Sequence, residues 1–360
     1  DRKGEDLGMT RKIHIVTKKK KRRKKIALLI LTPIFVLLFA ATGYVATLYL
    51  KAQNVANDSF EQLDGKLTAE TTELTNTSIL FIGVDDSESR DFQDSTRSDA
   101  LILATFNKED KSVKLLSIPR DSYVYVPEKE DYTKINHAYA LGGAASTVET
   151  VENLLDIPID YYVRMNFYAF IDIIDELGGI EVDVPYELYE KDSTDRYNAI
   201  HLEEGIQTLN GEEALAFART RKNDNDMERG KRQQQVMEAV MEKVTSASSI
   251  TKYTNIIEAV GKNMKTNLTF SHMASFIAYA ISNTDMSIES IQLQGEDSYI
   301  NDIYYYELDE EAMEETKDSL KAHLNGLDTT SSDVATEEDK QTTDILASDS
   351  ISSDTESEEF

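Results

Sequence analysis

Ser78–Val84, SILFIGV, is followed by Ala100–Phe106, ALILATF, and Val113–Ile118, VKLLSI, and the reading of these three runs decides the fold. The first is an almost continuous apolar stretch closed by the acidic turn Asp85-Asp86, the pattern of a strand covered on both faces. The turn Asn107–Lys111 separates the other two. Downstream the periodicity alternates. Gly142-Gly143 precedes a helix over Ala144–Leu155, then come strand Asp160–Met165, helix Phe167–Leu177, the break Gly178-Gly179 and strand Ile180–Val184. Helices follow over Leu209–Ala218, Glu228–Thr245, Tyr253–Met264 and Ser271–Ser282, with strand Ser287–Leu293 and a closing helix Glu310–Leu324. Strands alternating with helices predict an α/β fold, a layered α-β-α domain with a central mixed sheet over 77–325.

The flanks differ in kind. Residues 1–25 hold 12 Lys/Arg and 3 Asp/Glu, a net of +9, against −28 for the chain, so 26–360 carry −37. The eight cations Lys18–Lys25 stop where the uncharged run Ile26–Leu50 begins. At about 1.5 Å per residue this run exceeds the roughly 30 Å hydrocarbon core, so one transmembrane helix is expected. It is too long for the apolar part of a cleaved signal peptide. The basic block then predicts a cytoplasmic arm and an extracellular remainder, and beside a membrane span it reads as a topology signal, not a nucleic-acid tail. Residues 51–76 are polar and read as a stalk, part helical; 326–360 are rich in Ser, Thr, Asp and Glu and read as a disordered acidic tail. The absence of cysteine excludes disulfides, thiolate nucleophiles and Cys-ligated metals.

In this acidic chain the window Ala218–Gln235, ARTRKNDNDMERGKRQQQ, concentrates Arg219, Arg221, Arg229 and Arg232. On a helix Arg229, Arg232 and Gln233 share one face. Clustered guanidiniums repel each other unless an anion lies between them, and their planar forks match phosphate oxygens two at a time. The alternative is a solvated face with Asp224, Asp226 and Glu228 as partners.

Four short motifs stand at strand ends or loops: Asp85 in GVD, Arg97 and Asp99 in RSD, Arg120 and Asp121 in IPRD, and Lys134 in KINHAY. Ligands of open α/β sheets bind beyond the carboxyl ends of strands, where Asp85 and Arg120 sit. A hard cation bound with a pyrophosphate takes one or two carboxylates, which Asp85 and Asp99 supply. Spacing alone equally allows a turn residue at Asp85 and a plain loop at Gly142-Gly143.

In order, GVD, RSD, IPRD, KINHAY and R-x-R…D-x-x-R-x-x-R-Q, behind an expected membrane anchor, resemble the LytR–CpsA–Psr family of Gram-positive cell-wall enzymes over Ser78–Val244. The resemblance implies an extracellular enzyme that moves the phosphate of a polyprenyl-pyrophosphate-linked glycopolymer onto peptidoglycan. It implies Mg2+ on Asp85 and Asp99. It also implies a pyrophosphate clamp of Arg97, Arg120, Arg219, Arg221, Arg229 and Arg232, with Lys134, Asp121, Asp226 and Gln233 supporting. This chain departs in carrying DSYV after IPR and in a short spacing between Arg221 and Asp226. A lipid tail needs an apolar groove; Val236, Met237, Val240, Met241 and Val244, and Phe167, Phe170, Ile171 and Ile174, are candidates, with ordinary core the alternative. A hydrolase of the same pyrophosphate and a non-enzymatic envelope regulator are the rival functions. The expected partners are the lipid-linked polymer, peptidoglycan and the membrane, without nucleic acid.

Overall fold

The computed structural model describes residues 46–47, 49–63, 75–85, 97–221, 226–246, 252–261, 263–283 and 285–326. The basic arm, almost all of the apolar run and the tail beyond Gly326 lie outside the described residues. Among the described residues, no helix is long and apolar enough to cross a membrane.

Residues 49–59 form helix α1. Strands β1 (Thr77–Val84), β2 (Ser98–Asn107), β3 (Ser112–Ser117), β4 (Tyr123–Val126) and β5 (Asp131–Lys134) follow, then helix α2 (His137–Leu155). Next come β6 (Tyr161–Asn166), α3 (Phe167–Leu177), β7 (Ile180–Val184), β8 (Leu188–Glu190), β9 (Ile200–Leu202), β10 (Gly205–Leu209), α4 (Gly211–Arg219) and α5 (Asp226–Thr245). The domain closes with α6 (Tyr253–Val260), β11 (Met264–Thr266), α7 (Phe270–Ser282), β12 (Ser287–Gln292), β13 (Gly295–Ile300), β14 (Ile303–Leu308) and α8 (Glu310–Leu324).

The central sheet runs β11-β6-β1-β2-β3-β12. It is mixed: β6 is parallel to β1 and β12 to β3, and the other pairings are antiparallel. Side chains alternate across the pleat, so Leu80, Ile82, Leu101, Leu103 and Leu116 meet Val148 and Val151 of α2 and Met313 and Leu320 of α8. Ile102, Ala104, Phe106 and Leu115 point the other way, under Met237 and Met241 of α5 and Phe276 and Tyr279 of α7. Covered faces on both sides explain why β1 and β2 read as continuous apolar runs, and each fully buried Leu or Ile contributes about 1.5–3 kcal/mol. A separate cluster packs β7–β10 against α3, α4 and α5 through Ile174, Val182, Leu209, Phe217 and Val236.

Three expectations change. The helix expected over Tyr253–Met264 stops at Val260, and Met264–Thr266 becomes an edge strand on β6. The strand Ile180–Val184 forms but pairs with β10 outside the central sheet. The segment expected as a stalk is, over residues 49–63, part of the folded body. Ala52, Ala56 and Ser59 form a buried stripe at helical spacing, and Leu63 beyond the helix is buried too. Glu61 N–H donates to the Thr266 carbonyl at 2.8 Å, and the Tyr162 hydroxyl donates to the Glu61 carbonyl at 2.9 Å.

Candidate functional site

The site lies where β1 and β3 end and β2 begins. A bulge between Gly83 and Val84 sets Val84 opposite Ser98 and Gly83 opposite Ala100, so Asp99 is the extra residue of β2. This turns Asp99 beside the end of β1, where Asp85 follows directly, and toward the Ile118–Asp121 segment after β3. The Asp99 carboxylate is ion-paired with Arg120.

Asp121 is the hub. It is 6% exposed, and three cations converge on it: Lys134 Nζ at 2.8 Å, Arg120 Nε at 3.6 Å and Arg221 at 3.8 Å. Burial pushes its carboxyl up, but the Lys134 hydrogen bond and the charges of Arg120, Lys134 and Arg221 outweigh this and hold it below its ordinary value. It therefore stays ionised and is a poor proton acceptor. The hub is fixed by its backbone, since Tyr306 N–H of β14 donates to the Asp121 carbonyl at 2.9 Å and Asn136 N–H donates to the Arg120 carbonyl at 3.2 Å. Arg97, Arg120, Lys134 and Arg221 against Asp85, Asp99 and Asp121 leave a small excess of positive charge, and the buried Arg120 Nε has no hydrogen-bond acceptor, so the cluster can take an anion.

The other Arg and Lys residues separate by role. Arg97 is exposed just before β2. Burial, then the charges of Arg97, Lys134 and Lys129, press the His137 imidazole below its ordinary value against the pull of Asp121, so Arg97 lies on the same face of the cluster. Arg219, at the end of α4, donates to the Lys191 and Asp192 carbonyls at 2.5 and 2.6 Å and lies 6.0 Å from the Phe167 ring. Arg221, just beyond α4, is the exposed arm of the window, its side chain 38% accessible. Asp226 opens α5, and its side chain is outside the described residues.

Arg229 and Arg232 overturn the alternative of a solvated face along α5. Both are buried, at 5% and 4% exposure. Arg232 reaches across to α4, donating from Nε to the Phe217 carbonyl at 3.0 Å and from a terminal nitrogen to the Thr220 carbonyl at 2.6 Å. It thereby caps carbonyls that the end of helix α4 leaves unmatched, a bracket between helices. Gln233 donates to the Ala218 carbonyl across a long 3.4 Å. The next residue, Gln234, is buried and donates to the Leu115 and Ile291 carbonyls, both at 2.7 Å, pinning α5 to β3 and β12. Gly230 permits this approach: a Cβ there would sit 2.8 Å from the Ser117 hydroxyl. Nothing in the spacing of R-G-K-R-Q-Q-Q distinguishes a bracketing arginine from a clamping one.

The donor set of Asp85 and Asp99 fits a hard divalent cation, because both are carboxylates at adjoining strand ends beside a cationic cluster. Among the described residues no group of three or more His, Asp or Glu could cage a metal. Such an ion would thus take most of its ligands from water and phosphate oxygens. Of the apolar candidates, Ile174 and Val236 are core, whereas Met237 and Met241 are half-buried with Phe81 and Phe276 over the second face of the sheet.

A family model for the LytR_cpsA_psr family matches residues 41–322. An uncharacterised Staphylococcus aureus protein is 42% identical over 273 residues, 75% of this chain and 66% of its own length. The polyisoprenyl-teichoic acid–peptidoglycan teichoic acid transferase TagT of Bacillus subtilis is 42% identical over 249 residues, 69% of this chain and 76% of that one. A solved structure of YwtF (TagT), with octaprenyl pyrophosphate lipid bound, superposes with a TM-score of 0.56 at 35% identity, covering 74% of this chain and 97% of that one.

Proposed function

We propose that this chain, which belongs to the LytR_cpsA_psr family, is a transferase that attaches a polyprenyl-pyrophosphate-linked anionic glycopolymer such as teichoic acid to peptidoglycan. The convergence of Arg120, Lys134 and Arg221 on the buried carboxylate of Asp121 carries this reading. A pyrophosphate bridging this cluster meets fixed positive charge where negative charge grows during phosphoryl transfer.

In the reaction an acceptor sugar hydroxyl forms a new O–P bond at the polymer-side phosphorus. The bond from that phosphorus to the bridging oxygen breaks, and polyprenyl phosphate leaves with the electron pair. The hydroxyl proton passes to a carboxylate of the site. Arg120 bridges the two functions, holding Asp99 on one side and Asp121 on the other. Asp85 and Asp99 would hold Mg2+, which when bound supplies further positive charge to the pyrophosphate oxygens. The lipid tail lies along Met237, Met241, Phe81 and Phe276, where flexible, half-buried methionines suit an irregular apolar chain. The apolar run before α1 anchors the protein in the cell membrane by a single span, with the domain outside.

The test uses the full chain in detergent with a lipid-linked polymer, peptidoglycan and a magnesium titration. Polymer joined covalently to peptidoglycan, with release of polyprenyl phosphate, is expected. Arg120→Ala and Arg221→Ala should each slow transfer by about 10²–10³-fold, the range for removing one stabilising donor. Asp99→Ala should in addition raise the magnesium concentration needed for half-maximal rate. Polymer phosphate released to water at the same rate with or without peptidoglycan would identify a hydrolase instead.

A further inference from the structure

Two hairpins outside the central sheet carry a line of tyrosines past the cation cluster. In β4–β5, Tyr123 pairs with Lys134 and Tyr125 with Tyr132. The pleat sends Val124, Val126 and Thr133 into the core and leaves Tyr125 and Tyr132 at 43% and 53% exposure. In β13–β14, Tyr299 pairs with Tyr304 and is 72% exposed. Ring contacts join the two hairpins. Tyr125 meets Tyr132 at 5.6 Å between centroids, Tyr132 meets Tyr123 at 5.4 Å, and Tyr123 meets Tyr305 at 4.8 Å. The Lys134 ammonium stands 5.7 Å from the Tyr305 ring and 5.4 Å from the Tyr304 ring, and Tyr304 meets Tyr299 at 5.7 Å. The line thus passes over the same lysine that holds Asp121. It is anchored there by the buried Tyr306 of β14, whose N–H binds the Asp121 carbonyl.

We propose that this tyrosine line is the acceptor surface, the seat of a neutral glycan strand whose reactive hydroxyl it presents to the cation cluster; this rests on the transferase reading. Exposed aromatic rings with hydroxyl tips offer apolar faces to sugar rings and hydrogen bonds to sugar hydroxyls and N-acetyl groups. Two or three exposed rings in a row suit an extended oligomer better than a small ligand. Charge narrows the choice. The same hairpins expose Glu128, Glu130, Asp131, Glu296, Asp297 and Asp302, so an anionic polymer is repelled along this path. The phosphate-bearing donor therefore approaches from the Arg221 side and the uncharged strand from the tyrosine side. Lys134, placed between them, is paired with Asp121 and packed on the tyrosines, and it couples the two halves of the site.

Binding of stem-peptide-free peptidoglycan glycan strands, with their lactyl carboxyls blocked as amides so that the strand is neutral, to the full chain in detergent tests the surface without donor or turnover. The wild type and the Tyr132→Phe and Tyr299→Phe variants should bind with similar Kd, and Tyr132→Ala and Tyr299→Ala should weaken binding by about tenfold each. Affinity for polyprenyl pyrophosphate should be the same in all five proteins. In the transfer assay the Ala variants should raise KM for the strand and leave KM for the lipid-linked donor unchanged. Strand binding that is absent in the wild type, or equal in wild type and Ala variants, overturns the proposal. So does tighter binding of isolated anionic wall polymer than of the neutral strand. Because the binding arm needs no catalysis, loss of the transferase reading would show separately, as strand binding by the wild type without polymer transfer.

Discussion

Arg221 and Arg232 belong to one basic window and have opposite environments. Arg221 reaches out from the end of α4 toward Asp121 and remains 38% accessible, whereas Arg232 is buried against the Phe217 and Thr220 carbonyls. If the site holds a pyrophosphate, Arg221→Ala should weaken binding of that group by on the order of 1.5–3 kcal/mol, the worth of a hydrogen bond to a charged group. The melting temperature of the unliganded protein should stay the same, since a long 3.8 Å approach at the surface contributes little stability. Arg232→Ala should do the reverse. It strands two buried carbonyls and should cost on the order of 3 kcal/mol of stability. Thermal melts with and without polyprenyl pyrophosphate separate the two. Equal ligand-induced stabilisation in wild type and Arg221→Ala would remove Arg221 from the clamp. An unshifted melt for Arg232→Ala would remove the bracket. The sequence shows both residues as one basic window, because arginine density in an acidic chain is visible without coordinates. Their separate fates depend on where α4 ends against α5, a tertiary fact with no trace in the spacing.

At the scale of elements, β1, β2 and β3 were legible because a strand buried on both faces cannot hide its apolar run. The hairpins β4–β5, β8–β9 and β13–β14 were not. They are short, and one face of each is open, so Tyr, Glu and Asp interrupt the apolar pattern that marks a strand. Met264 continued the helical period of α6 in the sequence, yet it opens the edge strand Met264–Thr266, which pairs with β6. The most informative element join is that of α8 to the sheet, through His323. Its Nδ1 pairs with the Thr105 hydroxyl at 2.9 Å and its Nε2 with the Ser112 hydroxyl at 2.8 Å. Burial first, then the charge of Lys114, pushes its pKa down from 6.5 to about 4, so the folded protein holds it neutral. An unfolded chain binds a proton near pH 6.5 that the fold refuses until about 4. Stability is thus fully present above pH 6.5 and falls as pH drops toward 4. Between pH 7.5 and 4.5 this one group should remove on the order of 2–3 kcal/mol. Urea unfolding of wild type and His323→Gln at the two pH values isolates it, since carboxylate effects are common to both. The wild type should lose more than the variant; equal losses would show that His323 is not the titrating group.

At the scale of the molecule, the membrane relation follows from how the N-terminal side meets the domain. The uncharged run reaches Leu50, inside α1, and Tyr49 there packs edge-on against Phe270 of α7 at 5.0 Å. The start of α1 therefore marks one end of the body, next to α6 and α7. The half-buried Met264, Met273 and Phe276 lie beside the same elements. A lipid tail entering along these residues would need the bilayer at this end, which the proposed single span ending near Tyr49 would supply. On the proposed single span, the positive block Lys18–Lys25 at the other end of the run would orient the chain with the block in the cytoplasm and the domain outside. The −37 charge of residues 26–360 suits this side, since the anionic cytoplasmic leaflet would repel such a domain. Protease added to intact protoplasts should digest the domain while a cytoplasmic marker survives, and the basic arm should remain protected. Domain fragments that resist protease until the cells are lysed would invert the topology. That result would also separate the site from the peptidoglycan it is proposed to modify, whatever the clamp residues bind in solution.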